Sequence, residues 1–64
     1  MNKQEIATRL RNARGNRTRK EVAEAIGISV SALNMYEFQQ RVPKDDIKIK
    51  LANYYGLSVQ ELFY

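Results

Sequence analysis

Basic side chains are concentrated at one end of this 64-residue sequence. The first 20 residues carry seven lysines and arginines against one glutamate, a net charge of +6. The other 44 residues carry four basic and six acidic side chains, a net charge of −2. Guanidinium and ammonium groups gathered in this way bind phosphate groups through charge-assisted hydrogen bonds. The distribution favours a polyanionic partner, although a basic surface that only maintains solubility has the same composition.

Cysteine and histidine are both absent from the sequence. Zinc sites built from these residues, Ser-His-Asp triads and Cys-His dyads are therefore excluded, and no other nucleophile–base pair or metal cluster is evident. We expect no enzymatic activity and no cofactor. No segment has the length of a membrane span or the pattern of a signal peptide, so we expect a cytoplasmic protein without membrane contact.

Five short helices and no strands are expected to hold the basic side chains in place. Capping residues predict where four of the helices begin, and glycines predict where three of them end. The expected N-caps are Asn2, Thr18, Ser29 and Ser58, and the expected terminating glycines are Gly15, Gly27 and Gly56. The remaining helix, the fourth, is expected to contain Pro43 in its first turn. It includes Ile47–Lys50, which alternates like a strand, but a lone strand would have no partner.

Residues 19–38 have the pattern of a helix-turn-helix, in which two helices meet at a large angle through a short turn. Ala23 is small enough for the helices to cross closely, and Gly27 suits the turn. The apolar residues expected to lock the pair are Val22, Ile26, Ile28, Leu33 and Tyr36. An ordinary helical hairpin has the same apolar spacing, but the caps and the basic flanking residues favour nucleic-acid binding.

Three stretches, RLRNAR, KEVAEAIGISVSALNMYE and IKIKLANYYGLSVQELF, resemble the Cro/repressor-like (XRE-type) helix-turn-helix family. The resemblance covers nearly the whole chain and implies one all-α domain over residues 1–64, a compact five-helix, lambda-repressor-like fold. It also implies a transcriptional regulator that binds double-stranded DNA sequence-specifically. In this family such a regulator is typically a repressor that binds a palindromic operator as a homodimer.

The resemblance also implies which residues touch DNA, because the third helix of this family enters the major groove. The reading face of that helix consists of Val30, Ser31, Asn34 and Met35, which are uncharged in an otherwise basic chain. An asparagine pairs with adenine, a serine donates or accepts, and apolar side chains contact thymine methyl groups. The basic flank, expected to contact phosphates, consists of Arg17, Arg19, Lys20, Arg41 and Lys44. An Arg14–Glu37 ion pair is implied as part of the scaffold.

The sequence departs from the family pattern at three places. The turn GNRT is short, Arg19 replaces a frequent glutamine, and Phe38-Gln39 replaces a frequent Asn-Gly. Since the glycine is missing, the end of the third helix is expected to be built differently. Some of the apolar residues Ile49, Phe63 and Tyr64 are expected to form a two-fold interface, because so small a core cannot bury them all.

Two other functions remain open on the sequence alone. The first alternative is an antitoxin or anti-repressor whose main partner is another protein. The apolar side chains of Val30 and Met35 would suit contact with such a partner. The sequence is also compatible with an RNA-binding protein that uses RNARGNRTRK as an arginine-rich arm. Competition between duplex DNA and structured RNA separates the RNA hypothesis from the others.

Overall fold

The computed structural model describes residues 2–64, which form five α-helices and no strand. The helices are α1 (Lys3–Arg14), α2 (Arg19–Ile26), α3 (Val30–Glu37), α4 (Asp45–Tyr55) and α5 (Val59–Phe63). The prediction of an all-α fold is confirmed, including for Ile47–Lys50, which lies within α4. Helix α1 packs on α3 and α5, α2 packs on α3 and α4, and α4 packs on α5.

Side-chain caps begin four of the helices, as the sequence predicts. Asn2, Thr18, Ser29 and Ser58 each accept a hydrogen bond from the backbone N–H three residues further on. Glu61 also accepts a hydrogen bond from the backbone N–H of Ser58, which completes a reciprocal capping box. This bond favours the carboxylate form and lowers the pKa of Glu61. Each cap satisfies a donor that would otherwise have no partner at the helix N-terminus.

The core lies between the five helices and receives apolar side chains from all of them. Its buried apolar residues are Ile6, Ala7, Leu10, Val22, Ala23, Ile26, Leu33, Leu51, Ala52, Leu62 and Phe63. Phe63 is only 1% exposed, so of the three apolar residues considered for an interface this one belongs to the core. Ile49 and Tyr64 do remain exposed. Phe63 is on the inner side of α5, next to Leu62, where α1 and α4 both cover the helix.

The two turns that border α3 hold different residues in a left-handed backbone. Gly27, which ends α2, has a φ of +78°, as the sequence predicts. After α3, Phe38 is the C-cap and Gln39 takes the positive φ, +69°. Gln39 stands where the resemblance leads one to expect glycine, and a residue with a Cβ is strained in this backbone conformation.

The start of α4 differs from the prediction. Lys44 is the N-cap and Asp45 is the first helical residue, so Pro43 precedes the helix and does not lie in its first turn. Pro43 is buried ahead of the cap. A proline in that position directs the preceding residue to an extended conformation, which separates α4 from the turn after α3.

A buried carboxylate joins the ends of the first three helices. Glu37 is 0% exposed, and its Oε2 accepts a hydrogen bond of 2.8 Å from Arg14 Nε. Its Oε1 accepts a second bond of 2.9 Å from Arg19 Nε, while Arg11 donates to its backbone carbonyl. The Arg14–Glu37 pair implied by the family resemblance is confirmed, and Arg19 is an additional partner.

The left-handed positions predict opposite effects of two substitutions on the free energy of unfolding. We expect Gly27→Ala to lower it by about 1–2 kcal/mol, since a Cβ there meets nothing within 4 Å and only the backbone is strained. We expect Gln39→Gly to raise it by roughly 0.5–1 kcal/mol, because relief of strain exceeds the entropy cost of glycine. Urea denaturation measures both. If Gly27→Ala unfolds at the same urea concentration as wild type, this turn does not need a left-handed residue.

The Glu37 network predicts that two arginine substitutions are not additive. We expect Arg14→Ala and Arg19→Ala each to cost roughly 1–3 kcal/mol of unfolding free energy. The double variant should lose more than the sum, because it leaves a fully buried carboxylate without a guanidinium partner. Lys20 is exposed and follows Arg19 in the chain, so Lys20→Ala is the matched control and should leave the free energy of unfolding unchanged. Strict additivity in urea denaturation would show that the two arginines do not share the carboxylate.

Candidate nucleic-acid interface

The reading face is most exposed at the N-terminal end of α3. Val30 is 40% exposed, and Ser31 is also exposed. Asn34 and Met35, one turn later, are partly buried. Leu33 and Glu37 lie on the inner side of the same helix and are fully buried, which fixes the direction in which Val30 and Ser31 point. In helix-turn-helix proteins the N-terminal residues of the recognition helix contact base edges.

The Asn34 side chain is less exposed to solvent than Val30 and Ser31 on the same face of α3. Its side-chain oxygen Oδ1 is covered and has no hydrogen-bond partner among the described residues. An unpaired buried acceptor is unfavourable by about 1–3 kcal/mol. A bidentate contact with adenine uses both the oxygen and the nitrogen of the amide, so the side chain must rotate before it reads a base in this way. The same rotation gives Oδ1 access to a donor.

Four members of the basic flank are exposed, and the fifth is held by the protein. The exposed members are Arg17, Lys20, Arg41 and Lys44. Arg19, at the first position of α2, is bound to Glu37, and its side chain is 33% exposed. The structure therefore places four exposed cations around the helix-turn-helix, and one cation that is bound to the buried carboxylate.

Arg17 packs on two aromatic rings of α4. Its guanidinium carbon lies 5.5 Å from the ring centre of Tyr54 and 5.8 Å from that of Tyr55. Burial, together with the negative charge of Glu37, raises the pKa of Tyr55 to about 12, and Arg14 and Arg17 partly offset this effect. Tyr55 is therefore a neutral hydroxyl at physiological pH. The rings orient Arg17 at the turn between α1 and α2 while its side chain still reaches solvent.

The turn after α3 positions the C-terminal part of the basic flank. The backbone N–H groups of Gln40 and Arg41 both donate to the carbonyl of Met35, at 2.9 and 3.2 Å. These bonds close the end of α3 even though no glycine is present. Arg41 is thereby kept beside the end of α3, whereas Lys44 is the N-cap of α4.

Sequence reasoning missed one residue of this surface, Phe38. Its ring is 53% exposed, and the guanidinium carbon of Arg19 lies 5.1 Å from the ring centre. The available signal was an aromatic residue where the family usually has a small or polar one. The pairing with Arg19 was not predictable from spacing, because the two residues are on different helices.

Other types of site receive no support within residues 2–64. No group of three or more acidic side chains in this part of the chain is arranged to hold a metal ion. Among the helices of this region, none combines the length and the apolar character needed to cross a membrane.

Comparison with known families identifies the fold. The chain matches the family model described as helix-turn-helix over residues 8–62, a range that includes α2, α3 and α4 entirely and most of α1 and α5. No curated protein and no solved structure matches the chain. The all-helical architecture agrees with a lambda-repressor-like domain, as the resemblance implied. The chain belongs to the XRE-type helix-turn-helix family of DNA-binding transcription regulators.

Proposed function

We propose that the protein is a sequence-specific repressor that binds a palindromic operator and places α3 in the major groove. The observation that carries this proposal is the contrast around α3. Its outward N-terminal half, Val30 and Ser31, is uncharged, while exposed cations lie on both sides of it in the chain. Base edges in the major groove are recognised by hydrogen bonds and methyl contacts, and phosphates are recognised by charge.

The reading face supplies both apolar and hydrogen-bonding contacts. Val30 is suited to the methyl group of a thymine, and Ser31 donates to or accepts from a base edge. Asn34 pairs with adenine once its amide has rotated outward. Met35, partly buried beside it, contributes apolar contact to a neighbouring methyl group. All four side chains lack charge, so none of them forms an ion pair with a phosphate.

The basic flank sets the register of the protein on the duplex. Phosphate contacts from Arg17, Lys20, Arg41 and Lys44 do not depend on sequence, but they fix how deeply and at what angle α3 lies in the groove. Each neutralised phosphate releases counterions, so affinity falls as salt rises. The net charge of +4 has the sign that steers the chain toward DNA.

We further propose that the operator is read by two copies of the chain. Ile49 and Tyr64 are 51% and 61% exposed, and they belong to α4 and to the end of α5, which pack together. Lys48 Nζ and the Tyr64 hydroxyl are 2.9 Å apart, which holds Tyr64 against α4. A two-fold interface that includes these residues would place two α3 helices in successive major grooves, about one helical turn apart.

The reading face and the basic flank predict different consequences for two polar residues. We expect Asn34→Ala to cost roughly 1–3 kcal/mol on the operator and to relax preference at one base pair. We expect Lys20→Ala to weaken operator and random duplex equally and to reduce the slope of log affinity against log salt by about 0.9. Binding to an operator selected from random duplex DNA, to its single-base variants and to random duplex measures both effects.

Thermal unfolding provides the control for these two variants. Neither substitution removes a core side chain, so both variants should remain folded. If Asn34→Ala and substitutions of Val30, Ser31 and Met35 all retain full specificity, then α3 does not read bases. The protein-partner alternative, an antitoxin or anti-repressor, would then be favoured.

The proposed interface predicts an effect of Ile49 on stoichiometry. Ile49→Ser should weaken the binding of the second copy to a palindromic operator, because it removes apolar area from the interface and leaves the reading face unchanged. Asn53→Ser, an exposed and neutral change on the same helix, is the matched control. Sedimentation of the protein–DNA complex counts the copies. One copy per operator in the wild type, on a site without two-fold symmetry, would rule out the dimer.

A further inference from the structure

The group formed by Glu37, Arg14 and Arg19 has a net positive charge. One carboxylate is shared by two guanidinium groups, those of Arg14 and Arg19, so a net positive charge remains. The Arg14 side chain is 17% exposed and the Arg19 side chain is 33% exposed. The uncompensated charge is therefore presented to solvent mainly by Arg19, at the N-terminus of α2, where the helix dipole also attracts anions.

Arg19 is held in place by two contacts that leave part of it free. Its Nε donates to Glu37 Oε1 at 2.9 Å, and its guanidinium lies over the ring of Phe38 at 5.1 Å. Neither Nη1 nor Nη2 makes a hydrogen bond within residues 2–64. The planar guanidinium is thus fixed at one edge and on one face, while its two terminal nitrogens remain available.

We propose that Phe38 and Glu37 are positioning residues that hold Arg19 as a preformed clamp for one DNA phosphate. This inference rests on the proposed function in taking duplex DNA as the partner. A free arginine loses much of its side-chain conformational entropy when it is ordered on a ligand. Here the ordering occurs during folding, so less of that cost remains at the moment of binding.

A phosphate fits this geometry better than a base does. The terminal nitrogens of a guanidinium match two phosphate oxygens in a bidentate contact. Arg19 begins α2, whereas the residues directed at base edges belong to α3. Its Nε is also engaged with the buried Glu37, which keeps the guanidinium close to the protein surface. The clamp therefore contributes affinity and register, and it does not distinguish one sequence from another.

The role of Phe38 is tested by a double-mutant cycle on a mixed-sequence duplex of about 20 base pairs, with affinity measured by fluorescence anisotropy across a salt titration. Arg19→Ala should reduce the slope of log affinity against log salt by about 0.9, since one phosphate contact is lost. Phe38→Ala should weaken binding about 2- to 5-fold with the slope unchanged, because the charge remains but is held by Glu37 alone. The double variant should bind no more weakly than Arg19→Ala alone.

Two further variants separate the aromatic face from simple apolar area. Phe38→Tyr keeps the ring and should retain wild-type affinity, whereas Phe38→Leu keeps apolar area without a π face and should behave as Phe38→Ala does. Phe38 is exposed, so none of these changes removes a core contact. In the absence of DNA, NMR relaxation of the Arg19 Nε–H should show restricted motion in wild type and greater motion in Phe38→Ala.

Several outcomes would overturn the clamp. If Phe38→Ala lowers duplex affinity equally in the wild type and in the Arg19→Ala variant, the ring itself contacts DNA. Wild-type affinity in Phe38→Ala would show that the ring does not position Arg19. An unchanged salt slope in Arg19→Ala would show that Arg19 does not contact a phosphate. Wild-type protein that does not bind duplex at any salt concentration would instead reject the proposed function, and with it the clamp.

Discussion

The fold depends on one buried carboxylate. Glu37 is removed from water at the end of α3, and a charge in that position is tolerated only when it is paired and hydrogen-bonded. Its two oxygens accept from Arg14 at the end of α1 and from Arg19 at the start of α2. Arg11 adds a bond to the Glu37 carbonyl. These contacts fix three helix ends relative to one another, because moving either arginine away would leave one buried carboxylate oxygen without its donor.

The orientation of α3 follows from this constraint and from the core. With Glu37 and Leu33 buried on one side of the helix, Val30 and Ser31 must face outward. The surface they form is uncharged because the cations lie on neighbouring segments, where Lys20 precedes α3 and Arg41 follows it. The separation of an uncharged face from surrounding cations is thus a consequence of helix packing as much as of composition. Such an arrangement is compatible with reading bases on one face and binding phosphates around it.

The segment after α3 forms a left-handed turn that contains no glycine. Gln39 adopts the left-handed backbone at some cost, and Met35 accepts two backbone hydrogen bonds that close the helix end. The same departure places Phe38 beside Arg19, where the ring packs on the guanidinium. A glycine turn preceded by a small polar residue would have supplied no such ring. The departure from the family pattern therefore links the helix end to the position of a cation on α2.

Features that arise from residues close together in the chain were predictable from the amino-acid sequence. The N-caps at Asn2, Thr18, Ser29 and Ser58 and the turn at Gly27 were predictable, since a cap and its partner are three residues apart. The core face of α3 was also predictable, because helical periodicity places Leu33 and Tyr36 on one side.

Tertiary structure decided the features that depend on residues distant in the chain. The partnership of Arg19 with Glu37 joins residues 18 positions apart, and the burial of Phe63 depends on α1 and α4 covering α5. The covered amide oxygen of Asn34 likewise reflects its surroundings, since its spacing in α3 alone favoured an outward side chain. Local sequence encodes caps and periodicity, whereas which charge is paired and which surface is covered depends on how the helices pack.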